Sequence, residues 1–125
     1  MSSLKTLTAA LIAAHIASPI VAGNDLTRTF AACAGRLSAV MEHQWLMADP
    51  AANVTETRRE TMISLLDAVA NPGDGRQVLN WRIDAKQAQS VLLTRATFND
   101  DPADAHWAQT RAETEIAICT GLLTG

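Results

Sequence analysis

Three proline-bearing breaks, Asp49-Pro50, Asn71-Pro72-Gly73-Asp74-Gly75 and Asp101-Pro102, divide the chain beyond residue 24 into four segments of helical length. The residue before a proline is pushed out of the α region, and the proline offers no backbone donor, so a helix does not run through such a site. The 71–75 stretch is the clearest break and must be a loop. Tyr is absent and only two Phe occur. Ala and Leu are abundant instead, and both are helix formers. The chain reads as all-α.

Caps and apolar spacing place the helices. The first is expected from about Asp25 to Ala48, with Asn24 or Asp25 as N-cap and an inward stripe of Leu26, Phe30, Cys33, Leu37, Val40 and Met41. The second starts near Asn53, which stands three residues before Glu56 as in a capping box, and turns Met62, Leu65, Leu66 and Val69 inward. The third spans about Arg76 to Phe98, with Val78, Trp81, Ala85, Ala88, Leu92 and Ala96 on one face. The fourth follows the acidic cap Asp101 and Pro102, and carries Trp107, Ile116, Cys119 and Leu123 inward; Gly121 and Gly125 mark its end. Short connections make sequential helices antiparallel neighbours, so the expected architecture is a four-helix up-down-up-down bundle. Ala31, Gly35 and Ala39 give helix one a small-residue ridge. Glycine inside a helix costs about 1 kcal/mol against alanine, so the ridge implies close approach by another helix.

The start of the chain gives an address. Lys5 precedes an apolar run from Leu7 to Ile16, Pro19 breaks that run, and Ala22 and Gly23 follow. This is the order of a cleaved secretory signal peptide over residues 1–23, leaving one α-helical domain over 24–125 in the periplasm or secreted medium. The apolar run is shorter than the roughly 20 residues a bilayer demands, so no stable membrane insertion is expected after cleavage. The net charge is −3; losing the leader removes Lys5 and no acid, making it one unit more negative. With basic residues spread singly apart from Arg58-Arg59, which sits among Glu56 and Glu60, nucleic acid is not an expected partner.

Outside the leader the cysteines are two, Cys33 and Cys119. An even count in an exported chain points to a disulfide. Cys33 lies about 12 Å along helix one and Cys119 about 6 Å from the end of helix four, similar heights where the two helices run antiparallel. Closing a loop of about 87 residues is worth on the order of 4.5 kcal/mol in chain entropy. A lipidated Cys33 is the competing reading, because Phe30-Ala-Ala-Cys33 echoes a small-small-Cys box; the polar residues 24–29 before it argue against that.

The segment from Met41 to Met47 is the densest run of potential ligands. His43 and Met47 share a face at i, i+4, and with Met41 they are weak candidates for copper; the plainer reading makes Met41 and Met47 core and His43 a surface residue. No Cys-x-x-Cys, His-x-x-x-His, Glu-x-x-His or Gly-x-Ser-x-Gly motif occurs, and His106 has no acidic partner on its helix. Glu113 and Glu115 cannot face each other on one helix. No cofactor and no catalytic residue are therefore assigned. Trp45, Trp81 and Trp107 each fall where a bundle buries side chains, yet Trp45 and Leu46 beside the Asp49-Pro50 turn become a partner contact if the stripe centres on Leu37 and Val40. What these readings leave first is a small exported, non-catalytic helical protein that binds another envelope or secreted protein as adaptor, inhibitor or chaperone. A periplasmic metal or small-ligand binder, and an enzyme with an unrecognised site, are the alternatives.

Overall fold

The computed structural model describes residues 19–124, with side chains from residue 25 onward. Four helices fill that range: α1 (Pro19–Leu46), α2 (Ala52–Val69), α3 (Gly75–Phe98) and α4 (Pro102–Leu123), with a single 3-10 turn at Pro72–Asp74. Among the described residues there is no strand. The leader expected over residues 1–23 lies outside the described residues, except for the backbone of 19–23, which is already helical. Asn24 and Asp25 therefore continue α1 rather than cap it.

The exit from α1 differs from expectation in an instructive way. The helix stops at Leu46 rather than Ala48, because Ala48 adopts a left-handed φ of 52°. The Asp49 N–H donates to the Gln44 carbonyl at 2.8 Å and the Ala48 N–H to the Trp45 carbonyl at 3.1 Å. This is the paired closure usually built on glycine, here formed on a residue that has a Cβ. Asp49 then turns the chain, its Oδ1 accepting from the Ala51 N–H at 2.9 Å. Because that turn supplies the entry to α2, Asn53 lies inside the helix and the Asn53–Glu56 box does not form. Asp101 caps α4 as its sequence implies, accepting from the N–H groups of Ala103 and Asp104.

α1 is the central helix. Thr27, Phe30, Ala31, Cys33, Ala34, Leu37, Ser38, Ala39 and Met41 are all buried, which leaves no broad polar face and marks a helix enclosed by others. Its direction opposes that of α2, since Thr27 reaches Val69 and Ser38 reaches Arg59. It runs along α3, since Arg36 reaches Gln89 and His43 reaches Thr97. α4 opposes both.

The expectation that sequential helices are neighbours fails at one place: no Cα pair between α2 and α3 comes within 8 Å. α3 lies against α1 instead. The cause is the small-residue ridge: a Cβ built on Gly35 would stand 2.1 Å from the Arg82 carbonyl oxygen. Backbone meets backbone there, and α3 is drawn onto α1 and away from α2.

The apolar core sits toward one end. Phe30, Cys33, Leu37, Met62, Leu66 and Cys119 form its centre, with Val69, Val78, Trp81, Ile116 and Leu123 packed around it. The α2 stripe is as expected. On α3 the stripe departs at one position: Ala88 is exposed and its neighbour Gln89 is fully buried. Trp107, expected inward, is 54% exposed.

Candidate functional site

α1 and α3 run side by side, so their C-terminal ends meet at the end of the molecule away from the apolar core. That end differs in chemistry, beginning in its interior. Gln89 has no solvent exposure. Its Oε1 accepts from Arg36 Nη1 at 2.9 Å and its Nε2 donates to the Ala112 carbonyl at 3.1 Å. Arg36 also meets Glu115 at 3.3 Å, and Glu115 meets Arg111 at 2.5 Å. One amide and one guanidinium thus tie α1, α3 and α4 together, and both functional groups of the buried amide are satisfied, as burial demands.

Beside this link lies an open cleft of about 490 Å³ between the three helices. Val40, Leu93, Ala96 and Ile116 make its apolar wall; His43, Gln44, Asp49, Thr97, Gln109 and Glu113 supply the polar groups. The Gln109 amide donates to Glu113 Oε1 at 3.0 Å. His43 Nε2 stands 3.1 Å from Thr97 Oγ1, with the Phe98 ring edge-on at 6.4 Å. Gln44 Oε1 is shielded from solvent and has no hydrogen-bond partner among the described residues, an omission that costs about 1–3 kcal/mol.

The rim of this end of the molecule, outside the cleft lining, is apolar and aromatic. Trp45, Leu46 and Met47 are 52%, 72% and 49% exposed in succession, and Phe98 is 59% exposed. Trp107 lies under the Arg95 guanidinium, whose carbon is 5.0 Å from the ring centre. Arg95 also forks onto Asp104, at 2.5 Å and 3.3 Å. That hydrogen bond holds the Asp104 carboxyl below its ordinary range, with Asn99 acting in the same direction, and raises the Arg95 guanidinium.

The residues singled out by sequence separate clearly. Cys33 and Cys119 are brought together, with Cα atoms 5.3 Å apart and the sulfurs bonded. Trp45 and Leu46 stand in solvent at a helix end. Met41, His43 and Met47 are not gathered: Met41 is buried about 200° around α1 from His43, and Met47, expected in the core, lies past the helix end and is half exposed. No group of three His, Cys, Asp or Glu side chains among the described residues is arranged to hold a metal. Gln89 and the Arg36–Glu115 link were missed, although Ala85, Gln89, Leu92 and Ala96 keep a 4-3-4 spacing that marks one face. No helix among the described residues is long and apolar enough to cross a membrane. Comparison with protein-family models, curated proteins and solved structures finds no match to this chain.

Proposed function

We propose that the chain is an exported, non-catalytic, up-down-up-down helical protein that binds another envelope or secreted protein through the rim formed by Trp45 and Leu46. The observation that carries this reading is the run Trp45-Leu46-Met47, three large apolar side chains in succession held in solvent at the end of a helix. Surface apolar residues scattered singly are ordinary, whereas large apolar side chains exposed in succession, a Trp among them, are the composition of a contact. The set is fixed in place by the closure at Ala48, a left-handed backbone position on a residue with a Cβ. Such positions are concentrated where function demands a particular chain path. Export is supported by the leader-like residues 1–23 and by the bonded cysteine pair, which fits an oxidising compartment.

The test places a photocrosslinking residue at position 46 in the native host, and a second at exposed Leu79 on the other half of the molecule. A partner captured at 46 and not at 79, and lost on Trp45→Ala with the helical circular dichroism spectrum unchanged, supports the reading. Equal capture at both positions, or none, overturns it. N-terminal sequencing of the same material should begin near Asn24; an intact Met1 overturns export.

A further inference from the structure

We propose that the cleft between α1, α3 and α4 binds an organic ammonium group carried on an apolar stem. The cleft lies on the face of α1 that carries His43, about 200° around the helix from Trp45, so this site does not depend on the rim contact.

Size and shape come first. A cleft of about 490 Å³ falls in the range of small-ligand sites, which pair an apolar wall with a few placed polar groups. Leu93, Ala96 and Ile116 provide a wall for a ring or alkyl chain. Sign comes next. Two carboxylates, Asp49 and Glu113, line the cleft, and no Lys or Arg does. The arginines of the adjoining helix faces are already engaged, Arg36 by Gln89 and Glu115 and Arg95 by Asp104. An anion would meet repulsion with no free cation to offset it; a cation would meet two acceptors.

The third observation concerns hydrogen bonding. Gln44 is part of the cleft wall, and its Oε1 is an acceptor without a donor. An unmade bond at a shielded acceptor is a standing cost to the fold, and natural sequences retain such costs at functional positions. A ligand N–H approaching this wall supplies the missing donor after a turn of the amide. An ammonium offers three donors and no acceptor, which matches a wall presenting Gln44, Asp49 and Glu113. A free amine and the side chain of a peptide lysine share this chemistry.

The test is a titration of the full oxidised chain, followed by amide NMR, with phenethylammonium, with Nα-acetyl-lysine methylamide, and with 2-phenylethanol and 3-phenylpropanoate as controls of similar size. Saturable shifts at Gln44, Leu93 and Ala112 with phenethylammonium assign the site to a free amine. The same shifts with the lysine derivative alone assign it to a peptide. Asp49→Asn with Glu113→Gln keeps each side-chain acceptor and should weaken amine binding on the order of tenfold. Gln44→Met should weaken binding while raising the melting temperature, since it deletes the orphan acceptor at nearly constant volume. Comparable saturation by the alcohol or the carboxylate, no saturable shift with either amine, or an affinity unchanged in the double variant would each overturn the proposal.

Discussion

The two ends of this molecule are built on different rules. At the disulfide end, Phe30, Leu37, Met62 and Leu66 enclose Cys33 and Cys119, and the packing is apolar. At the other end, α1, α3 and α4 meet around a buried glutamine, an arginine–glutamate link and an open cleft, with Trp45, Leu46 and Phe98 exposed nearby. Apolar packing is non-directional and carries most of the stability a small domain can muster. Hydrogen-bonded links specify a geometry but contribute less net free energy. The molecule thus separates what holds it together from what it presents.

This division can be broken experimentally, beginning with its covalent side. Replacing Cys33 and Cys119 together by Ser should lower the unfolding free energy by about 4 kcal/mol, because the bond joins residues 86 apart. Denaturant unfolding of the variant against the oxidised protein checks this. A loss below about 1 kcal/mol would place the stability elsewhere and undo the contrast. Gly35→Ala tests the seam between the two halves. The added Cβ would collide with the Arg82 backbone, which cannot rotate away, so α3 must shift and a loss of about 3 kcal/mol is expected in the same assay. Its effect should reach Gln89 and the cleft, visible as amide shifts along α3. The smallest effect runs the other way. Ala48→Gly relieves the left-handed position and should raise stability by about 1 kcal/mol. If thermal unfolding shows no gain, the turn at the presenting end is not the strained element described.

The disulfide end was far more legible in the sequence than the other. Phe30, Cys33, Leu37, Met62 and Leu66 recur at helical spacing and are apolar, so the pattern names them and the structure buries them. The cysteine pairing followed from the even cysteine count together with the helix heights. The presenting end resists such reading because its interior is polar. The apolar pattern names Ala88 as a core residue and passes over Gln89, which is the one buried, with partners on two helices that lie far away in sequence. The same pattern places Trp107 inward, and it stands outside beneath Arg95. The pairing of α1 with α3 was half visible. Ala31, Gly35 and Ala39 announced a close neighbour, but a ridge of small residues does not say which helix it receives.

The position of the disulfide also routes mechanical load. A pull applied between the first and last described residues passes down α1 to Cys33, crosses one covalent bond to Cys119 and leaves through α4. Residues 34–118 form a closed ring outside that line of tension. The cleft and the rim residues Trp45 and Leu46 lie on this ring, so a chain tethered or tugged by its ends would keep its presenting end unloaded.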